Sequence, residues 1–248
     1  MSRISIITVT YNSAATLEHT IQSVLLQDHP DVEYIIVDGA STDDTLSIIR
    51  KYRHKIAHFI SEKDEGLYFA INKGINMATG DIIGILHADD FYTTDDALTG
   101  IQETFNMSGA DAVYADLYYV DKDNTDKIIR KWHSGKYHDG KFLWGWMPPH
   151  PTFFVKKKVY DKFGAFNTTL RTSADYELML RLIHKYKIKL AYLPEYLVKM
   201  RMGGQSNASM KNRVKANKED RKAWDLNHIK PYFFTLVLKP LRKIFQFF

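Results

Sequence analysis

Cysteine is absent from this chain, so no disulfide framework and no thiolate metal site is open to it, and a reducing compartment suits it. Long apolar runs are missing too. The opening Met1-Ser2-Arg3-Ile4-Ser5-Ile6-Ile7-Thr8 lacks the apolar length of a signal-peptide core. No run approaches the roughly 20 apolar residues that span a bilayer. The glycine loops that cradle phosphates are not there either. Tyr11-Asn12-Ser13, not G-x-G-x-x-G, follows the first predicted strand, and G-x-x-x-x-G-K-[ST] occurs nowhere. There is no internal repeat and no low-complexity linker.

What is present is ordinary in bulk and uneven in charge. A hydrophobic content of 45% and a charged content of 25% are those of a globular protein, and 248 residues make one large domain or two small ones. The net charge of +5 divides sharply. From Lys199 onward 12 Lys and Arg face 3 Asp and Glu, a net of +9, which leaves the first 198 residues at −4. The basic character belongs to the C-terminal part and suits an anionic surface, nucleic acid or lipid.

Apolar periodicity switches repeatedly between strand and helix. Strands are predicted at 4–9, 34–37, 56–60 and 82–86, each followed by a helical pattern. Asn12 or Ser13 is the expected cap of the first helix, and Ser41 with Asp44 resembles a capping box for the second. Leu67, Ala70, Ile71, Gly74, Ile75 and Ala78 mark one face of the third, which Gly80 is expected to end. A helix from Asp95, a strand over 112–119 and a hairpin turn at 121–124 before Ile128-Ile129 extend the series. This is the βαβ pattern of a Rossmann-like, mainly parallel sheet. Beyond it come a long aromatic loop, 133–151, a strand over Phe153–Val155, and a helix from Asp175 with Tyr176, Met179, Leu182, Ile183 and Tyr186 inward. Tyr118 and Tyr119 read as core.

The organising stretch is Asp81-Ile-Ile-Gly-Ile-Leu-His-Ala-Asp-Asp90. It reads as a strand buried on both faces that leaves the sheet at Asp89-Asp90. Ligands of open α/β sheets bind at such carboxyl ends. Adjacent carboxylates repel, and their hard oxygens suit Mg²⁺ or Mn²⁺. Asp38 and Asp64 also fall just past predicted strand ends, so three acidic positions converge on one crevice. A diphosphate there would be held by a cation bridged to Asp90, with Lys73 as a further candidate.

Four ordered segments now carry a resemblance: Ile4–Asn12, Val37–Thr45, Asp64–Gly74 and Gly80–Asp90 resemble the successive motifs of family 2 glycosyltransferases with the GT-A fold. His150-Pro-Thr-Phe-Phe, Phe163-Gly-Ala-Phe and Ser173-Ala-Asp-Tyr-Glu-Leu resemble the acceptor half, and Gly203-Gly-Gln-Ser resembles a late motif of the subgroup that builds bacterial surface polysaccharides. The resemblance implies a nucleotide-sugar half over 1–120, an acceptor half over 121–209 and basic amphipathic helices over 210–248. It further implies an inverting transferase of the hexosyltransferase type, using a nucleotide-diphosphate sugar, by default a UDP-sugar, and Mn²⁺ or Mg²⁺. By the same resemblance Thr10, Tyr11, Asp38, Asp64, Lys73 and Asp89 serve the donor. Asp90 binds the metal, and Asp175 is the general base. The metal motif here is His-Ala-Asp-Asp rather than a literal Asp-X-Asp, and Phe69 stands where relatives often carry Asp.

Asp175 opens a helix, where acids are favoured, and a base of this kind takes the acceptor hydroxyl proton. Trp144 and Trp146 could stack on an acceptor sugar or pack the core, and His150 could serve the acceptor or fix its loop. Residues 230–248 mix aromatics, aliphatics and cations, which suits a helix lying on an anionic membrane surface, kinked at Pro240; docking on the protein itself is the other reading. The expectation is a cytoplasmic enzyme, peripheral on the inner face of the membrane, with a glycan or lipid-linked acceptor in cell-surface polysaccharide synthesis. A sugar nucleotidyltransferase would want a glycine-rich loop after strand one. A basic nucleic-acid-binding protein would want a recognised motif, so no nucleic-acid partner is expected.

Overall fold

A computed structural model of the chain describes residues 1–203 and 210–242, and side chains of the last helices from 216. In chain order the strands are β1 (Ile4–Thr10), β2 (Val32–Asp38), β3 (His58–Ser61), β4 (Ile82–Ile85), β5 (Asp90–Tyr92), β6 (Ala112–Val120), β7 (Ile128–Trp132), β8 (Phe154–Lys156) and β9 (Leu190–Arg201). The helices are α1 (Leu17–Leu25), α2 (Thr45–Tyr52), α3 (Leu67–Met77), α4 (Ala97–Ser108), α5 (Lys157–Phe163), α6 (Ala174–Met179), α7 (Met210–Leu226) and α8 (Thr235–Leu241). All strands join one mixed sheet, ordered β3-β2-β1-β4-β8-β6-β9-β5, with β7 beside β6.

The four parallel strands β3, β2, β1 and β4 are flanked on both faces. Ile7, Val9, Ile35, Val37, Ile83 and Ile85 pack towards Ile71 and Ile75 of α3. Ile4, Ile6, Tyr34, Ile36 and Ile82 pack towards Leu17, Ile21 and Val24 of α1. A strand buried on both sides carries no polar alternation, which is why these segments read as continuous apolar runs. At Gly74 a Cβ would stand 2.4 Å from Ile7 Cγ2, so glycine lets α3 sit close on β1. The second half of the chain does not form a separate sheet. β8 inserts antiparallel between β4 and β6, while β9 runs parallel to β6 and carries β5 on its edge.

Several local expectations are revised. Thr16 caps α1, with the Ser13 carbonyl accepting from Thr16 and Leu17 N–H. Ser41 makes no capping box; α2 starts after Asp44, and the Ser41 hydroxyl turns to Asp38 instead. α3 ends at Met77, and Gly80 is needed because a Cβ there would meet Ser5 Oγ at 2.6 Å. Leu67 and Tyr186, assigned inward, are exposed. The helix after Asp175 is α-helical only to Met179, then widens into a π-helical turn, Leu180–Lys185. Asp90 does not trail a strand but begins β5.

The C-terminal segment docks on the body of the protein. Thr235, fully buried, donates to the Leu143 carbonyl at 2.6 Å, and Lys239 pairs with Asp220 at 2.7 Å while lying 3.6 Å above the Tyr176 ring. Pro240 sits inside the last turn of α8. Among the described residues no helix is long and apolar enough to cross a membrane. Gly204, Gln205 and Ser206 of the late motif, and residues 243–248 of the tail, lie outside the described residues.

Candidate active site

The carboxyl ends of the parallel strands form one rim, where Thr10, Asp38 and Ser61 stand in register. Asp38 is 0% exposed, and its carboxylate accepts from Ser41 N–H at 3.0 Å, Ser41 Oγ at 2.5 Å and Ser61 Oγ at 2.6 Å. It therefore ties the loop after β2 to the strand ends from beneath. Backbone N–H groups of Asn12, Ser13 and Ala14 donate to Ser41, Thr45 and Asp43, and Thr42 N–H donates to Asn12 Oδ1 at 2.8 Å. The two loops are thus laced together, with Asn12 in the left-handed region at φ 49°. Tyr11, 57% exposed and beside Gly39, is the aromatic face this rim presents. The buried Thr10 hydroxyl has no partner.

Asp64 and Lys73 meet at 2.5 Å, and Glu62 reaches the same ammonium at 2.5 Å. Hydrogen bonds that the ammonium donates to these carboxylates raise the Lys73 pKa. Two carboxylates, those of Asp64 and Glu62, hold this ammonium at the rim. The cation beside the paired acids is Arg201. Its Nη1 donates to the Asp89 carbonyl at 2.6 Å, its Nη2 meets His19 Nδ1 at 2.7 Å, and its guanidinium lies 4.8 Å over Phe91. Burial and the charge of Arg201 hold His19 below its ordinary pKa, which keeps Nδ1 an acceptor.

Asp90 is fully buried, and among the described residues neither carboxylate oxygen has a hydrogen-bond partner. Burial first, then Asp89, push its carboxyl well above the usual range, and Arg201 opposes them. Unpartnered buried carboxylate oxygens are costly and call for a cation. Their hard-oxygen chemistry fits Mn²⁺ or Mg²⁺. Among the described residues no three His, Asp or Glu side chains form a metal cage. A cation at Asp90 would therefore share its shell with ligand phosphate oxygens and water, as Mg²⁺ commonly does.

Asp175, second residue of α6, accepts from the Tyr68 hydroxyl at 3.2 Å. Burial and then Asp175 raise the Tyr68 pKa well up, so the phenol stays a donor. Burial lowers the His87 pKa, while the charges of Asp89 and Asp175 pull it upward. The charges of Asp90 and Asp175 both act on Tyr119. Asp175, far along the chain, thus lies near enough to the Asp89-Asp90 end for its charge to act on the same neighbours. The His150 ring stands 5.4 Å from His87 and edge-on to Phe166, and burial pushes its pKa to about 3, so it is neutral.

Trp146 is 3% exposed, donates to the Ser134 carbonyl at 2.8 Å, and packs among Tyr114, Tyr137 and Phe142. No ring face is left for a sugar, which revises its acceptor role. Trp144 is exposed against Phe234 of the tail. The reading from sequence did not single out Tyr68, His87, Arg201 or Glu219. Tyr68 and His87 lie inside quoted motifs. Arg201 has only the basic swing of the C-terminal part as a signal. Glu219 of α7 accepts from Thr172 N–H, Thr172 Oγ1 and Ser173 N–H at 2.7, 2.8 and 3.1 Å, and so holds the start of α6. No local pattern marks it.

A mixed, mainly parallel sheet with acids at its carboxyl rim and a helical C-terminal segment has the GT-A architecture. The S. aureus TarS 1–349 structure in complex with UDP-GlcNAc matches it with a TM-score of 0.71 at 18% identity, covering 91% of this chain and 65% of that one. Against that structure the chain spans just under two thirds of the length. The mannosyltransferase PcManGT from Pyrobaculum calidifontis, in complex with GDP-Man and Mn²⁺, gives a TM-score of 0.69 at 19% identity over 96% of this chain and 69% of that one. The family described as Glycosyl transferase family 2 matches residues 5–175, well over half of the sequence, and the chain belongs to it. An uncharacterised glycosyltransferase of Mycobacterium tuberculosis is 30% identical over 72% of this chain and 68% of its own length. A PGL/p-HBAD biosynthesis glycosyltransferase of Mycobacterium bovis is 27% identical over 82% and 78%.

Proposed function

We propose that this protein is an inverting glycosyltransferase that moves a sugar from a UDP-sugar to a glycan or lipid-linked acceptor of the cell surface. The observation that carries the reading is the buried Asp90 carboxylate, for which no partner stands among the described residues, beside Asp89 and near enough to Asp175 that the charges of both Asp90 and Asp175 act on Tyr119. The neighbour bound to UDP-GlcNAc supports the donor class, and the Mycobacterium bovis relative, named for PGL/p-HBAD biosynthesis, supports the acceptor class.

Tyr11 offers its exposed face to the nucleoside base, and the laced loops above Asp38 and the Thr10 hydroxyl shape that end of the pocket. Asp64, fixed by Lys73, borders the nucleoside, and Asp89 faces the ribose or donor sugar. Asp90 would hold Mn²⁺ or Mg²⁺, which when bound offsets charge on the departing diphosphate. Arg201 adds fixed positive charge beside the same acids. Asp175 takes the acceptor hydroxyl proton as that oxygen attacks the anomeric carbon from the face opposite the diphosphate. The bond to the diphosphate breaks, and its electron pair leaves with the diphosphate. The Tyr68 hydrogen bond occupies Asp175 Oδ1 and leaves Oδ2 for the proton.

The same reading places the enzyme on the cytoplasmic face of a membrane. Supporting it, docked α8 leaves Tyr232, Phe233, Val237 and Leu241 exposed next to Trp144, with Arg242 donating to the Trp144 carbonyl. A thermal-shift panel of UDP-, GDP- and dTDP-sugars with and without Mn²⁺ tests the central claim, since stabilisation follows occupancy. A metal-dependent rise with UDP-sugars is expected; a flat panel removes the proposal.

A further inference from the structure

We propose that the face of β7, β6 and β9 that carries Lys131, Tyr118 and Lys199, with buried Phe91 of β5 at its inner end, is an extended binding surface for a negatively charged glycan acceptor, one carrying carboxylates or phosphates along its chain. The inference rests on the transferase reading and adds the acceptor's charge and its path. Lys131, Tyr118, Lys199 and Phe91 stand in one cross-strand row over these four strands. Residues directly opposite in a ladder share a face. Strand spacing of about 4.8 Å sets Lys131 and Lys199 about 10 Å apart on either side of Tyr118. Tyr196 stacks on Tyr118 with ring centroids 4.0 Å apart and planes 6° from parallel. Both rings are half-buried and belong to neither hydrophobic core. Flat aromatic faces with polar tips suit the CH faces and hydroxyls of sugar rings.

The row is continuous with the catalytic rim. The Phe91 ring carries His19 at 4.1 Å, Arg201 at 4.8 Å and Lys199 at 5.8 Å, and Arg201 reaches the Asp89 carbonyl. At the other end His133, 68% exposed, holds its Nδ1 2.7 Å from buried Asp116. Asp116 is the acid of this strip, and its carboxylate is already engaged by the Tyr192 hydroxyl and Ser134 N–H at 2.8 Å each. The charge left facing outward is that of Lys131 and Lys199. A neutral polymer would use the tyrosines alone; the paired lysines select a chain with anions.

The test titrates the full-length protein with three probes: an oligogalacturonate, its fully methyl-esterified and therefore uncharged form, and an oligo(glycerol phosphate). Binding of one or both anionic probes, at least about tenfold tighter than the ester, is expected, and the two anionic arms tell carboxylate from phosphate. The Lys131→Gln, Lys199→Gln double variant should lose that preference while its thermal shift with UDP-sugar and Mn²⁺ stays that of the parent. Equal binding of charged and esterified probes, no binding of either anionic probe, or an unchanged preference in the double variant overturns the proposal. So does a double variant that loses binding only to phosphatidylglycerol vesicles, which would make the face a lipid surface. A parent protein that prefers the anionic probes yet shows no shift with any nucleotide sugar sinks the transferase reading instead, leaving an anionic-glycan-binding face without the reaction.

Discussion

Among the described residues no donor reaches the buried Asp90 carboxylate, and Asp89 beside it adds repulsion that Arg201 only partly offsets. Such a group weakens the ligand-free protein and is retained for what it binds. Asp90→Asn should therefore stabilise the protein by about 1–3 kcal/mol without ligand and abolish the Mn²⁺-dependent shift with UDP-sugar; both come from one melting series. Loss of stability together with a retained shift would deny Asp90 its role. Asp175→Asn should leave donor-induced stabilisation intact and lower transfer by roughly 10²–10⁴-fold, measured as product per enzyme under saturating donor. Asp38, Asp64 and Asp89 were legible in the sequence because each stands at or shortly after the end of a strand that its apolar run reveals, and Asp175 because it opens a helix that apolar spacing marks. What could not be read was which neighbour each side chain would take. Lys73 pairs with Asp64 and Glu62, and Asp38 accepts from Ser41 and Ser61, and such pairing distances belong to the folded loops.

α6 is a short helix whose first turn carries the proposed base, and its start is fixed from outside. Burial pushes the Glu219 pKa up, but hydrogen bonds from Thr172, Arg171 and Ser173 outweigh it and hold the carboxylate below its ordinary 4.5. A depressed carboxylate stabilises the fold above its unfolded pKa, and that contribution fades as pH falls through the lower folded value. Glu219→Gln should thus cost about 1 kcal/mol at neutral pH, since the side chain is half-buried and screened. The gap to the parent should close as pH drops below 4.5, followed by denaturant titration across pH. Glu219→Ala should also lower kcat about 10–100-fold through misplaced Asp175, with donor KM unchanged and partial rescue by Gln. An effect on KM alone would make Glu219 structural. The sequence reveals the helix at Asp175 through its apolar spacing. It hides the π-helical turn after Met179, because the i+5 bond from Tyr186 N–H to the Arg181 carbonyl leaves no mark in hydrophobic periodicity.

Across the whole molecule, the parallel half of the sheet was readable in order, while of the rest only the strands β6, β7 and β8 were, not their pairing, for a topological reason. β1, β2 and β4 are buried on both faces, β3 is the half-buried edge strand beside them, and helices separate the four, so their order follows from short right-handed crossovers. β5 and β8 have three residues each and gain their place only by pairing with strands far along the chain, β9 with β5 and β4 and β6 with β8. The tail shows the same dependence on distant partners. Its Thr235 and Lys239 dock against Leu143, Asp220 and Tyr176, and at Gly145 a Cβ would stand 2.5 Å from the Lys239 nitrogen. Deleting 230–248 would therefore leave Asp220 buried without its cation, and breaking a buried pair costs about 3–5 kcal/mol. A truncated protein that leaves the membrane fraction would then report unfolding as readily as a lost anchor. The exposed side chains separate the two effects. Phe233 is 92% and Val237 58% exposed, so Phe233→Ser with Val237→Ser should change stability by less than about 0.5 kcal/mol. The same pair should remove most binding to phosphatidylglycerol vesicles in a sedimentation assay. Vesicle binding that survives this substitution in a fully folded protein would assign the apolar face to something other than a membrane.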